Sequence, residues 1–170
     1  GPVVQLMSSG VGVPWALHAQ EILEQDWGVR AAVWSVTSWS EMRKEALAAD
    51  EHTFLHPEDE ARTPWISQRL QGVEGPFVAT SDYESMVPEM IRPWIPGAYG
   101  ILGADGWGFS DTRPAARRFL HIDAHSMVVK ALQMLAAEGK VDASAPCEAI
   151  QSYELLNVNA GQSGSDGGES

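Results

Sequence analysis

Residues 3–36 read VVQLMSSGVGVPWALHAQEILEQDWGVRAAVWSV, and this stretch decides the fold class. Apolar residues dominate positions 3–7, which predicts a strand, and the Ser-Ser-Gly sequence at 8–10 ends it. Pro14 suits the first turn of a helix, and a second apolar run at 31–36 predicts another strand. A strand, a helix and a strand in succession predict a crossover between parallel strands, which is right-handed in almost all proteins.

The helix of this unit has one apolar face and a defined end. Gly28 stands where the C-cap of a helix belongs. The strand at 31–36 (AAVWSV) is apolar nearly throughout, which predicts a strand covered on both faces. The apolar face of the helix, at helical spacing, is formed by Trp15, Ala19, Ile22 and Leu23.

The alternation of strands and helices continues along the chain. The Ser-x-x-Glu sequence at 38–41 fits a capping box that opens a helix to about residue 49. Residues 83–94 carry a long helical stripe that Pro88 interrupts, so the helix either begins near Ser85 or is kinked at the proline. Strands are also predicted at 77–80 and 99–102, and helices at 63–70, from the cap Asp123 to Gly139, and at about 144–153.

Strands separated by helices predict an α/β fold. We expect an open, mostly parallel sheet of four to five strands with helices on both faces. This domain is predicted to cover residues 1–157. Residues 159–170 read NAGQSGSDGGES and contain no large apolar side chain, so we expect a disordered Gly/Ser-rich tail at 158–170.

The composition excludes several classes of protein. The 170 residues include 23 acidic and 11 basic side chains, and the net charge of −12 argues against a nucleic-acid or anionic-membrane surface. No apolar run approaches the ~18 residues that span a bilayer, and the start of the chain does not read as a secretory signal. The single cysteine excludes an internal disulfide framework. We therefore expect a cytoplasmic protein that binds neither nucleic acid nor membrane.

The histidines form no complete metal-binding pattern in the sequence. His121 and His125 are four residues apart, but Asp123 between them is the predicted helix cap, which would place His121 before the helix. Since no third ligand is near, we disfavour a metal site there. His52 and His56 flank Phe54 and Leu55 in a polar segment, and we interpret them as loop histidines that face solvent or form hydrogen bonds.

Nucleophile patterns are equally weak. The sequence has no G-x-S-x-G motif. Cys147 follows Pro146 at the start of a predicted helix, but no histidine is near it in sequence and Glu148 disfavours a thiolate. We interpret Cys147 as a structural residue, and an independent hydrolase is therefore the weakest of the functions considered.

Gly10 and Gly12 follow the first strand as a dinucleotide-binding loop would. The full G-x-G-x-x-G spacing fails, because position 15 is a tryptophan. A plain strand-to-helix turn is therefore the favoured interpretation. The alternative is a regulatory domain that binds a small anion or a nucleotide between residues 10–14 and 103–113.

The most unusual stretch is LGADGWGFSDTR at residues 102–113, directly after a predicted strand. Loops beyond the carboxyl ends of parallel strands are where sites form in open α/β sheets. Tryptophan and phenylalanine offer large apolar area at low entropy cost, as interface anchors do. We predict that this loop packs against a neighbouring domain or subunit, with the candidate interface residues Asp105, Gly106, Trp107, Gly108, Phe109, Ser110, Asp111 and Arg113.

Several strings of the sequence match one family. The chain resembles, from Val3 to about Leu155, the C-terminal domain of the homodimeric, thiamine-diphosphate-dependent pyruvate dehydrogenase component of the transketolase-like superfamily. Ala104 and Pro88 depart from that family's usual pattern. The matching strings are VQLMSSG at 4–10, WSVTSWSE at 34–41, LHP at 55–57, ATSDY at 79–83, LGADGWGFSDTR at 102–113, and residues 119–124.

The resemblance implies a non-catalytic structural and assembly domain of a larger enzyme. Such an enzyme decarboxylates pyruvate on thiamine diphosphate with magnesium, and reductively acetylates the lipoyl group of dihydrolipoyl acetyltransferase. The resemblance places the cofactor ligands in other domains, and the chain has no G-D-G…N motif, so no catalytic, cofactor-binding or metal residue is carried over to it. The implied partners are the other domains of the polypeptide, a second subunit of a homodimer, and the acetyltransferase. We expect the isolated chain to be inactive.

Overall fold

The computed structural model of the chain describes residues 1–81, 86–103 and 123–156. Four strands alternate with helices in this part of the chain. The elements are, in chain order, β1 (Val3–Ser8), α1 (Gly12–Asp26), β2 (Arg30–Ser35), α2 (Trp39–Leu55), α3 (Trp65–Arg69), β3 (Phe77–Ser81), α4 (Met86–Glu89), a 3-10 helix (Arg92–Trp94), β4 (Tyr99–Gly103), α5 (Ala124–Ala137) and α6 (Ala145–Ser152).

The four strands form one open, fully parallel sheet in the order β2-β1-β3-β4. β1 therefore lies between β2 and β3, with Leu6 opposite Val33 on one side and Val78 on the other. The predicted α/β class and the parallel sheet with helices on both faces are confirmed. The parallel order requires each connection to cross over a face of the sheet, which the helices do.

Each face of the sheet carries its own apolar cluster, because successive side chains of a strand point to opposite faces. Val4, Leu6 and Val78 pack with α1, α5 and α6 in one cluster. Met7 and Phe77 pack with residues of α2, α3 and the segment before β4 in the other. We call these the α1/α5 face and the α2/α3 face. They bury the strands from both sides and make one layered core.

β2 packs on both faces of the sheet, as its apolar run predicts: Ala31 and Val33 belong to the α1/α5 cluster, and Trp34 packs against the α2/α3 cluster. Among the described strands it is nevertheless an edge strand, with a hydrogen-bonded neighbour on one side only. Its side chains at 32–34 are only partly buried, whereas β1 is buried from Val4 to Ser8. The indole Nε1 of Trp34 donates to Gln5 Oε1 at 2.8 Å, which fixes the tryptophan across the neighbouring strand.

Helix α2 begins as predicted and ends later. Ser38 is its N-cap, and its Oγ accepts from the backbone N–H of Glu41 at 3.2 Å. The helix continues past the predicted end near residue 49 to Leu55. No proline or glycine interrupts it before Pro57, and the residue before a proline avoids the helical region.

Within the described residues, the helical stripe at 83–94 does not form the long helix, begun near Ser85 or kinked at Pro88, that the sequence predicts. The chain there forms α4, only Met86–Glu89, followed by the 3-10 helix Arg92–Trp94. Pro88 and Pro93 each lack a backbone N–H, so neither can support a continuous helix.

The two C-terminal helices agree with the sequence. Asp123 is the N-cap of α5, and its Oδ1 accepts from the backbone N–H of Ser126 at 2.8 Å. α6 spans Ala145–Ser152, within one residue of the predicted limits. In the described ranges, no helix is both long and apolar enough to cross a membrane. The predicted tail at 158–170 lies outside the described residues.

Candidate functional site at the carboxyl edge of the sheet

Polar side chains gather where the central strands end. Ser8 ends β1, and Thr80 and Ser81 end β3; these three residues are at most 2% exposed. Since all strands are parallel, their carboxyl ends lie along one edge. This carboxyl edge is where the sequence places both candidate loops.

Hydrogen bonds between side chains join the elements that meet at the carboxyl edge. Thr80 Oγ1 lies 2.9 Å from Ser8 Oγ and so joins the ends of β3 and β1. Trp39 Nε1 donates to Ser9 Oγ at 3.1 Å, which fixes the start of α2 to the end of β1. Thr80 Oγ1 is also 4.0 Å from the sulfur of Met127, in α5. The described part of the edge is therefore a packed polar layer that links four elements.

The turn at residues 10–14 uses its backbone donors internally. The N–H of Gly12 donates to Ser9 O at 3.1 Å, and the N–H of Val13 donates to Gly10 O at 3.2 Å. Pro14 has no N–H to offer. A phosphate at a helix N-terminus is held by free N–H groups, so this turn is poorly equipped to bind one.

Close packing explains the glycine at position 12. A Cβ built on Gly12 would lie 2.4 Å from Ser8 Oγ. Glycine therefore lets α1 approach the end of β1, and the Gly-x-Gly sequence at 10–12 needs no bound ligand to account for its second glycine.

The predicted interface residues lie outside the described residues: Asp105, Gly106, Trp107, Gly108, Phe109, Ser110, Asp111 and Arg113. The positions that flank them are described. Gly103 ends β4 and is opposite Ser81 in the sheet register. Asp123 is fully buried at the start of α5. β4 therefore ends at the same carboxyl edge as β3, where Leu102 is opposite Thr80.

His125 belongs to an aromatic contact between helices. Its ring stacks on Tyr153, with centroids 4.4 Å apart and an angle of 8° between the planes. Trp27 Nε1 donates to the Tyr153 hydroxyl at 2.7 Å. Burial raises the pKa of Tyr153, against the opposing effect of the Trp27 hydrogen bond. These contacts join α1, α5 and α6; His121 lies outside the described residues.

The interpretation of His52 as a loop residue is wrong, because it lies in the last turn of α2. His56 follows the helix directly, and the two imidazole rings have centroids 4.4 Å apart. His52 Nε2 is 4.0 Å from Asp59 Oδ2, and His56 Nδ1 is 3.6 Å from Glu58 Oε1. The sequence argument missed this cluster, although His-x-x-x-His followed by Glu-Asp was the available signal.

Cys147 and three of the tryptophans differ in their exposure to solvent. Cys147 is exposed in the first turn of α6, so it supports no buried packing. Trp65 is 54% exposed, as a residue of a connecting surface would be. Trp94 is partly buried, and its Nε1 donates to Asp50 Oδ2 at 2.8 Å. Trp15 is buried in the core.

The chain matches one family of domains and several known proteins. The family model described as the transketolase-like C-terminal domain matches residues 1–123. The chain is 49% identical over 156 residues to the pyruvate dehydrogenase E1 component of Mycolicibacterium smegmatis, and 46% identical over 156 residues to that of Mycobacterium tuberculosis. Each alignment covers 92% of this chain and 17% of the relative. The chain therefore spans about a sixth of these relatives' length.

Two further proteins match the chain at lower sequence identity. The Escherichia coli K12 pyruvate dehydrogenase E1 component is 36% identical over 153 residues, which is 89% of this chain and 17% of the relative. A solved split-gene transketolase, described as an inactive beta4 tetramer, matches 80% of this chain and 40% of its own, with a TM-score of 0.56 and 18% identity. At that identity the likeness concerns the fold alone.

Proposed function

The chain belongs to the family of transketolase-like C-terminal domains, and we propose that it is the C-terminal, non-catalytic assembly domain of a pyruvate dehydrogenase component. The observation that carries this proposal is the 46–49% identity over 92% of the chain to relatives of which it covers only 17%. The remaining length of such a protein provides room for other domains, on which catalysis would depend.

The parent enzyme in this proposal decarboxylates pyruvate with thiamine diphosphate and magnesium. It then reductively acetylates the lipoyl group of dihydrolipoyl acetyltransferase, acts as a homodimer, and works in the cytoplasm. Thiamine diphosphate supplies the electron sink for the decarboxylation when it is bound. Within this chain, the proposed task is to pack against the other domains and the second subunit.

The described residues do not fit the cofactor. A diphosphate with magnesium needs free N–H donors and carboxylate or amide oxygens that face one site. At the carboxyl edge, the N–H groups of Gly12 and Val13 are already donated within their turn. The buried hydroxyls of Ser8 and Thr80 bond to each other. We therefore assign the cofactor to other domains, and this chain takes no part in the chemical steps.

The inactivity of the isolated chain is directly testable. We expect no decarboxylation of pyruvate when the chain is mixed with thiamine diphosphate, magnesium and a redox dye. The full-length parent, assayed in parallel, provides the positive control. Turnover by the isolated chain above ~1 s⁻¹, the low end of ordinary enzyme rates, would overturn the proposal.

The assembly role rests on residues 103–113 and has its own test. Trp107→Ala in the full-length parent should weaken the dimer by ~2 kcal/mol or more, because a buried aromatic anchor would lose its contact. In the isolated chain, the same substitution should change the free energy of unfolding much less. Equal losses in the two contexts would identify Trp107 as a core residue of this domain and contradict the interface assignment.

The alternative, a regulatory domain for a small anion or a nucleotide, is tested by titration. We expect no saturable binding of nucleotides or thiamine diphosphate to the isolated chain, because the turn at residues 10–14 offers few free donors. Saturable binding that Gly12→Ala abolishes would favour the regulatory function instead.

A further inference from the structure

Two histidines and two carboxylates meet where α2 ends. His52 is in the last turn of the helix, and His56 is its C-cap. The following residues turn back, with the N–H of Asp59 donating to His56 O at 3.1 Å. This turn brings Glu58 and Asp59 next to the two imidazole rings. None of these four residues has a part in the function proposed above.

The spacing of the side chains suits one metal ion. Potential ligand atoms of His56, Glu58 and Asp59 all lie within 4.8 Å of one another. His52 Nε2 is 4.0 Å from Asp59 Oδ2. Ligand atoms around a tetrahedral zinc ion are about 3.4 Å apart, given metal–ligand distances near 2.0–2.1 Å. The four side chains are 22% to 69% exposed, so they have room to rotate toward that separation.

We propose that His52, His56, Glu58 and Asp59 form a binding site for a divalent transition metal of the zinc class. Imidazole nitrogen with carboxylate oxygen is a donor set for zinc and its neighbours, whereas magnesium and calcium prefer oxygen alone. The site is independent of the function proposed above.

One ring nitrogen of His52 lies beside a carboxylate of this turn: Nε2 is 4.0 Å from Asp59 Oδ2. The Nδ1 atom of His52 is buried without a hydrogen-bond partner, so Nε2, near Asp59, is the atom that reaches the ion. The carboxylates of Glu58 and Asp59 supply the negative charge.

A bound ion would tie the end of α2 to the segment that leads to α3. Thr53 Oγ1 already accepts a hydrogen bond from the backbone N–H of Arg62 at 2.9 Å. This bond attaches the last turn of α2 to the same segment. A metal would add a second connection between this helix and the loop. The expected consequence is a metal-dependent rise in thermal stability, because the ion binds only the folded arrangement.

The test is titration of the chain with Zn²⁺ by calorimetry, followed by thermal unfolding with and without the ion. Because Cys147 is exposed, all measurements use a Cys147→Ser background. We expect one saturable site, at least about tenfold weaker in His56→Ala and in Asp59→Asn, and no competition from Mg²⁺. Co²⁺ should give the visible spectrum of a nitrogen-ligated ion, which His52→Ala removes.

His18→Ala is the matched control. The side chain of His18 is 26% exposed, close to the 22% of His52, and its Nδ1 lies 3.8 Å from a carboxylate oxygen of Glu21. Within the described residues, His18 belongs to no group of three potential metal ligands, so Zn²⁺ affinity should not change. No saturable Zn²⁺ binding, or equal loss in His18→Ala and His56→Ala, would overturn the proposal. His56 is exposed, so its variant is expected to remain folded.

Discussion

The two faces of the sheet are built differently. On the α1/α5 face, eight of the fourteen residues of α5 are buried. On the α2/α3 face, three of the seventeen residues of α2 are buried, and two of those are alanines. Leu47 and Phe54 of α2 are 41% and 81% exposed. The difference shows that α5 is built into the core of this chain, whereas α2 leaves most of its residues at the surface.

The composition of the two helices explains this difference. α5 reads AHSMVVKALQMLAA, with apolar residues on most of its circumference, as a helix buried between neighbours requires. α2 reads WSEMRKEALAADEHTFL and carries charged residues along most of its length. Burial of apolar side chains therefore holds α5 in place more strongly than it holds α2. Substitutions at four residues test this comparison.

The largest effect is expected from a leucine pair. Leu132→Ala, at a fully buried position of α5, should lower the free energy of unfolding by ~2–5 kcal/mol, because it leaves a cavity in the core. Leu47→Ala, in exposed α2, should change it by less than ~0.5 kcal/mol. Chemical denaturation of the two variants measures both values. Similar losses would show that α2 is as deeply packed as α5, against the comparison.

A smaller effect is expected at Tyr99, on the α2/α3 face. Its hydroxyl donates to the buried carbonyl of Pro88 at 2.7 Å. Tyr99→Phe leaves that carbonyl without this partner and should cost ~1–3 kcal/mol. Urea unfolding at pH 7 measures the loss. A loss below ~0.5 kcal/mol would mean that packing alone holds this face.

The same tyrosine predicts a pH dependence. Burial raises the pKa of Tyr99 above its ordinary value. The folded state thus favours the protonated phenol, so its contribution is complete below about pH 10, the unfolded pKa, and is lost as the pH rises above it. Tyr99→Phe should flatten the fall in stability above pH 10. An unchanged alkaline profile would assign that fall to other groups.

The smallest effect is expected at the start of α2. Ser38→Ala removes the cap that accepts from the N–H of Glu41 and should cost ~1 kcal/mol. Ser38→Asp keeps an acceptor and should restore most of the stability. Thermal unfolding of both variants provides the measurement. If Ser38→Asp is no better than Ser38→Ala, the cap does not stabilise this helix.

Local signals in the sequence are sufficient to predict the strands and the helix caps. Apolar runs predict the four described strands within one residue at each end, and the hydrogen bonds of Ser38 and Asp123 confirm the two predicted caps. Gly28 takes φ of +64°, and the N–H of Val29 bonds to Leu23 O at 3.0 Å, so the predicted end of α1 is confirmed. These features depend on a few neighbouring residues. The interface residues at 105–113 stay a prediction.

Features that depend on contacts between distant residues could not be predicted from the sequence and are seen only in the tertiary structure. The order β2-β1-β3-β4 places β2 at the edge, and an apolar run cannot distinguish an edge strand from a central one. The hydroxyl contact between Ser8 and Thr80 joins residues 72 positions apart. The cluster of His52, His56 and Asp59 exists because α2 extends to Leu55 and the chain then turns back. Such contacts form only when elements pack, since spacing along the chain does not specify which elements become neighbours in space.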